Sequence, residues 1–328
     1  MFWKKSHVGV VILMVVAALF GCQCGGPAIK APGPNPAPNQ APNPGNVPDA
    51  KAEADPAEKA GLELVNKFGG AKQEGGHVIE ANMWKPGFTE ADFKLLATLS
   101  KLKDVRMSGT NINGVGLKEL VGLQDLAKLD IGQNQLSDAG LKEAFTLKQL
   151  KYLRFTRADE AALPGLAGLT QLEELMVDGC GFKDGRAAVN IATALPKLKR
   201  LSIGNNGIGD DGLAAIANMA DLEELHMIGC RTSDKGLTAL PKLKKLEKLS
   251  VGPRASDEGM KSIAACTSLR ELRLFNTHAT DKCLQELGKL PQLKELIIDN
   301  GVFGKVTDAG MAEFGKAHPN CKAKLEKF

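Results

Sequence analysis

An apolar triplet recurs along this chain at a spacing close to 24 residues, and few folds can accommodate such a repeat. Leu126-x-x-Leu129-x-Ile131 returns as Leu150/Leu153/Phe155, Leu172/Leu175/Val177, Leu198/Leu201/Ile203 and Leu222/Leu225/Met227. It continues as Leu246/Leu249/Val251, Leu269/Leu272/Leu274 and Leu293/Leu296/Ile298. Leu102/Val105/Met107 and Val78/Ala81/Met83 extend it towards the N-terminus. Three steps depart from 24: one of 22, a compensating 26, and one of 23. A fixed period of this size marks stacked units, each unable to bury its apolar face alone.

The residues inside one period define the unit. Leu129 and Ile131 alternate with Asp130, which predicts a short strand with one buried face. Asn134 follows five positions after Leu129, and then Ser137-Asp138 opens a helix, because short oxygen-bearing side chains accept bonds from free first-turn amides. Leu141 and Phe145 lie four apart on one helical face. Each coil therefore runs strand, turn, helix and return.

This pattern resembles the leucine-rich repeat family over residues 75 to 328, through its Leu-x-x-Leu-x-Leu-x-x-Asn/Cys/Thr signature. The last place of the signature is filled by Thr110, Asn134, Cys180, Asn206, Cys230 and Thr277. The helix-opening sequence recurs from Ser137-Asp138-Ala-Gly140-Leu141 to Thr307-Asp308-Ala-Gly310-Met311, by way of Asp210, Ser233 and Ser256. The form is similar to the ribonuclease-inhibitor-like and cysteine-containing subtypes and to bacterial leucine-rich repeat lipoproteins. The resemblance implies an α/β right-handed solenoid, or horseshoe, with a parallel concave sheet and helices on the convex side.

Four places break the pattern. Ala158 and Arg254 occupy ladder positions without an amide, the helix start near Lys183 is altered, and Val302 to Lys305 form an insertion. Irregular turns are expected at each.

The N-terminus carries a different signal. Lys4 and Lys5 precede an apolar run of 13 residues, Val8 to Phe20. A bilayer crossing needs about 20, so the run reads as a secretory signal. It ends in Leu19-Phe20-Gly21-Cys22, which resembles a bacterial lipobox and implies cleavage before Cys22 and lipidation of that cysteine. Gln23, where an inner-membrane retention signal would have Asp, favours the outer membrane. Residues 22–57 are rich in Pro, Asn and Ala and low in large apolar groups, as in an extended, disordered tether. The expected layout is signal peptide 1–21, tether 22–57 and repeat domain 58–328 of about ten coils. Within the last, residues 58–76 form a cap helix and 318–328 close the final coil.

Composition and motifs narrow the function. A net charge of +4 and 5% aromatic residues give no bias towards nucleic acid. Cys180 and Cys230 lie two coils apart, about 10 Å at the spacing of sheet strands, too far to bridge. Cys266, Cys283 and Cys321 lack zinc spacing, although a Cys266–Cys283 bridge is open to an exported protein. Gly204 to Gly212 has no Lys-Ser/Thr and fits no calcium loop, so it reads as the ordinary turn of its coil. His7, His77, His226, His278 and His318 fall at unrelated repeat positions and form no HExxH, and no nucleophile elbow exists.

What remains is the concave face, where strand residues between the buried leucines point outward. It runs from Glu80, Asn82 and Trp84 to Glu295, Ile297 and Asp299, and includes Asp104, Lys128, Asp130, Ser202 and Ser250. Ten strands would make a platform of about 45 Å, suited to a protein or an extended ligand. Nine acids against six bases on it exclude nucleic acid as the natural partner. Residue types that dominate protein interfaces make Trp84, Arg106, Tyr152, Arg154, Met176, Arg200, His226, Arg273 and Phe275 the candidate partner-binding set. The reading is a non-catalytic binding module, lipid-anchored in the cell envelope, with no cofactor or metal. A structural envelope component and an enzyme inhibitor are the alternatives.

Overall fold

The computed structural model describes residues 55–326. The signal segment, Cys22 and the body of the tether lie outside the described residues. The chain divides near residue 52, and the repeat body forms the second unit.

One sheet of twelve strands, joined in chain order, organises this unit. Its strands are β1 (Gly69–Glu74), β2 (His77–Met83), β3 (Asp104–Arg106), β4 (Lys128–Asp130), β5 (Tyr152–Arg154) and β6 (Glu174–Met176). They continue as β7 (Arg200–Ser202), β8 (Glu224–Met227), β9 (Lys248–Val251), β10 (Glu271–Phe275), β11 (Glu295–Asp299) and β12 (Lys322–Glu326). From β2 onwards every pairing is parallel. The central residues form an unbroken register from Ala81 and Val105, through Leu129, Leu153, Leu175, Leu201, Leu225, Leu249 and Leu272, to Leu296. All are buried. The 24-residue period is therefore the length of chain needed to return each leucine beside its predecessor.

Both ends extend the sheet beyond the ten expected strands. The N-terminal helix covers Pro56–Phe68, with Asp55 accepting from the Ala57 amide, so it begins two residues inside the segment read as tether. It stops at Phe68, short of the cap helix expected over 58–76. Gly69–Glu74 instead form β1, antiparallel to β2. At the other end Lys322–Glu326 make β12, parallel to β11.

The turn after each strand explains the ladder residues. The Asn134 amide donates to the carbonyls of Met107 (2.8 Å), Ile131 (3.1 Å) and Gly132 (3.1 Å), and its oxygen accepts from Ile112. Asn206 repeats the arrangement with Val177, Ile203 and Gly204, and accepts from Gly181 and Phe182. Cys180 donates to Phe155 O and Cys230 to Ile203 O, so these thiols serve the same carbonyls. The Phe155 bond also satisfies the coil in which Ala158 has no amide to offer. All five described cysteines, Cys266 and Cys283 included, are free thiols.

Four residues after the central leucine the chain turns left-handed, as at Gln133 (φ 53°), Arg157 (φ 56°), Asn205 (φ 52°) and Asn276 (φ 52°). Pro253 stands at that place in the β9 coil, and its ring cannot reach positive φ. The turn there is one residue shorter, which accounts for the 23-residue step. Arg254 is left exposed, and Ala255 keeps the buried place before the helix that Thr232 holds in the preceding coil.

The convex side carries a second ladder. Asp210 accepts from Ser233 N and Oγ (both 2.7 Å), and Asp234 from Ser256 N and Oγ. Asp257 accepts from Thr280, and Asp281 from Thr307, in the same two-bond way. The Asp of the Ser/Thr-Asp-x-Gly opening thus clamps the next coil as well as beginning its own helix. A Cβ at Gly236, Gly259 or Gly310 would overlap the carboxylate from the preceding coil. In the coil opened by Thr280 that place belongs to Cys283. There the helix, Lys282–Leu287, begins one residue later, with Asp281 already helical.

The other irregularities also have physical causes. Near Lys183 the helix Arg186–Ala194 starts with no side-chain cap, and its length absorbs the 26-residue step. The inserted loop is held by Asn276, whose oxygen accepts from Val302 (2.7 Å) and Phe303 (2.9 Å), and Phe303 stacks on His278.

Candidate functional site

The concave face is an ordered checkerboard of charge. Register places Asp104, Lys128 and Tyr152 side by side on β3, β4 and β5, with Arg106, Asp130 and Arg154 in the adjoining row. Arg106 closes on Asp104 through Nε (3.2 Å) and a terminal nitrogen (2.7 Å). The hydrogen-bonded Asp104 carboxylate raises the affinity of Arg106 for its proton. Arg154 reaches Asp130 at 3.2 Å, and the other oxygen of Asp130 accepts from the Gly132 amide.

Exposure separates the two signs. The side chains of Asp104 and Asp130 are 10% and 14% exposed, whereas those of Arg106 and Arg154 are 52% and 33% exposed. The carboxylates lie in the sheet surface and orient guanidinium groups above it. Lys128 is exposed between them and has no ion-pair partner among the described residues.

Tyr152 donates to the Met176 sulfur at 3.1 Å, and burial pushes its pKa up to about 12, so the hydroxyl keeps its proton. The structure thus gathers Arg106, Tyr152, Arg154 and Met176 into one cluster.

The other candidates lie elsewhere. Trp84 is exposed just beyond β2. Arg200 pairs with Glu174 at 2.7 Å, and this bond raises its pKa. His226 contacts Glu224 at 2.6 Å and Ser250 at 2.8 Å. Arg273 pairs with Glu326 of β12, and Phe275 neighbours Asp299 in register. Asp104, Ser202, Ser250 and Asp299, expected to face the open groove, are buried, with Asp104 bonded to Arg106, Ser202 to Asp178, Ser250 to His226 and Asp299 to the Gly301 amide. Lys128 is outside the candidate set because lysine is depleted at protein interfaces. Its signal was its place between Asp104 and Tyr152, which only the register reveals.

Outside this face, a cleft of about 580 Å³ opens beside Gly181, Lys183, Asn205, Gly207, Gly229 and Arg231. It borders the glycine-rich turn, which is built on Asn206 as an ordinary coil. Among the described residues no cluster of three or more His, Cys, Asp or Glu could hold a metal ion.

A family model described as "Leucine Rich repeat" matches residues 194–217, the stretch containing β7, Asn206 and the following helix. The fold is a leucine-rich repeat solenoid. Among solved structures, an internalin of Listeria monocytogenes is 15% identical with a TM-score of 0.43, and the match covers 82% of this chain and 94% of that one. A leucine-rich repeat protein of Leptospira interrogans is 17% identical with a TM-score of 0.39, covering 70% and 74%. No curated protein matches the sequence.

Proposed function

We propose that this chain is an exported, lipid-anchored module that binds another protein on its concave face without catalysis. The observation that carries this reading is the pre-organised rank of guanidinium groups held over more deeply set carboxylates at β3–β5. Groups already fixed by their neighbours lose little freedom when a partner docks, which lowers the cost of association. Solenoids of this class typically act as protein-binding surfaces. Anchoring rests on Lys4-Lys5, the 13-residue apolar run and Leu19-Phe20-Gly21-Cys22. Mass spectrometry of the N-terminal peptide tests it: a diacylated Cys22 supports it, and an unmodified Met1 terminus sinks it. Docking is tested by the double variant Tyr152→Ala, Arg154→Ala, which should lose capture of an envelope partner while melting normally. Unchanged capture would exclude this face.

One observation favours a second reading, an enzyme. Ser250, His226 and Glu224 form a hydroxyl–imidazole–carboxylate chain of 2.8 and 2.6 Å. Ser250 is buried, however, and β9 pairs with both neighbouring strands, so its amides are committed to the sheet. Acyl transfer needs free donors for an oxyanion, and the binding reading is the stronger.

A further inference from the structure

We infer that the partner segment recognised at β3–β5 is an acidic polypeptide whose carboxylates are taken up by Lys128, Arg106 and Arg154. This rests on the concave-face reading above and names the chemistry of its ligand.

The argument is one of unused donors. Arg106 uses Nε and one terminal nitrogen on Asp104, leaving the other terminal nitrogen free. Arg154 uses a single terminal nitrogen on Asp130, leaving two nitrogens with donor capacity. Lys128 has neither a hydrogen bond nor an ion pair from its ammonium group to any described residue, and Tyr152 offers its oxygen as an acceptor while its proton is held by Met176. These groups occupy two adjacent rows of three neighbouring strands. Guanidinium groups match carboxylates in geometry, and charge-assisted bonds of this kind are strong.

The balance of charge selects among anions. The flanking Glu80 and Glu174 are each offset by a partner, Lys72 and Arg200, so Lys128, Arg106 and Arg154 over Asp104 and Asp130 leave one net positive charge at the cluster. Duplex DNA carries a charge every 1.7 Å or so, and Asp104 and Asp130, set beneath the guanidinium groups, would repel such a dense polyanion. Separated carboxylates along an extended peptide can meet the cations and avoid the acids. Further along the sheet, the acids that pair with the cations of β7 and β9, Glu174 and Glu271, are 25% and 44% exposed and face an incoming anion themselves, so the segment seats at the N-terminal half, where the acids are sunk.

The test is fluorescence anisotropy of the full-length protein with a labelled oligoglutamate peptide, and with an oligoglutamine peptide of the same length as reference. Oligoglutamate should bind in preference, weaken with added salt, and lose about tenfold or more in affinity in Lys128→Glu, with an unchanged melting temperature. Lys128→Gln provides the same readout if the charge reversal disturbs folding. No preference for glutamate, or full affinity in both Lys128 variants, would overturn the inference. Tighter binding of an oligothymidylate of equal charge would replace it with a general polyanion site. If oligoglutamate fails while Tyr152→Ala, Arg154→Ala still abolishes partner capture, only the acidic class falls. If both fail, the concave-face reading falls with it.

Discussion

Gly310→Ala isolates the convex clamp in a single methyl group. Gly310 is the third residue of the helix Asp308–Ala317, a place where alanine should be preferred by about 1 kcal/mol. All three atoms nearest to its added Cβ belong to Asp281. That carboxylate accepts from Thr307 N at 2.7 Å and Thr307 Oγ1 at 2.8 Å, joining the last two helices. Hydrogen bonds to a charged acceptor contribute about 1.5–3 kcal/mol each. Displacing the carboxylate far enough to lose one of them outweighs the helical gain and leaves Gly310→Ala destabilising by about 0.5–2 kcal/mol. In an Asp281→Ala background the obstruction is gone, so the same substitution should stabilise by up to about 1 kcal/mol. Urea unfolding of the four proteins of this cycle measures the coupling directly. Equal effects of Gly310→Ala in both backgrounds would refute the claim that the glycine exists to admit the neighbouring aspartate.

Other predictions concern the core, the turns and the thiols. Asp299 is fully buried with one oxygen lacking a partner, and burial raises its pKa above the ordinary 3.8. A carboxyl raised in the folded state favours folding at low pH and loses that contribution as pH climbs from the ordinary to the raised value. Asp299→Asn should therefore add about 1–3 kcal/mol at neutral pH, with the gain vanishing below the ordinary aspartate range in a pH series of melts. Asn206→Ala removes the hydrogen bonds to five backbone groups, of which Ile203 O and Gly204 O keep another donor, and should cost about 3 kcal/mol or more, whereas Arg254→Asn, exposed on its shortened turn, should change stability by no more than about 0.5 kcal/mol. Burial pushes the Cys180 and Cys230 thiols up to about 12. Because alkylation needs the thiolate, iodoacetamide should reach half-buried Cys321 before the other four described cysteines and spare both ladder thiols until the chain unfolds, as read by peptide mass spectrometry.

Much of the fold could be read from the period because a leucine returning every 24 residues has only one place to go, beside the last one. Asn134 and Asn206 were legible for the same reason, since a buried amide at a turn has few roles. The end strands were not. Lys322-Ala-Lys-Leu-Glu is short and charged, and becomes a strand only because β11 offers it an unpaired edge. The role of Asp210, Asp234, Asp257 and Asp281 was half visible. Each looks like a helix opener within its own coil, and its main partner lies 22 to 26 residues further on. The site followed the same division. Residue type singled out Arg106, Tyr152 and Arg154, but the presence of Asp104 and Asp130 beneath them, and the freedom of Lys128 beside them, depend on register. Arg200, His226 and Arg273 have the same interface-prone character, yet their acidic partners Glu174, Glu224 and Glu326 stand more exposed than Asp104 and Asp130 and share the surface with them.

The concave assignment is tested most directly by photo-cross-linking from single positions in cells that make the full-length protein. A photoreactive residue at 128 or 152 should capture one discrete partner, and the same residue at Lys289, exposed on the convex side, should capture none. Adducts formed from position 289 and absent from 128 and 152 would contradict the account and move the binding surface to the opposite face of the solenoid.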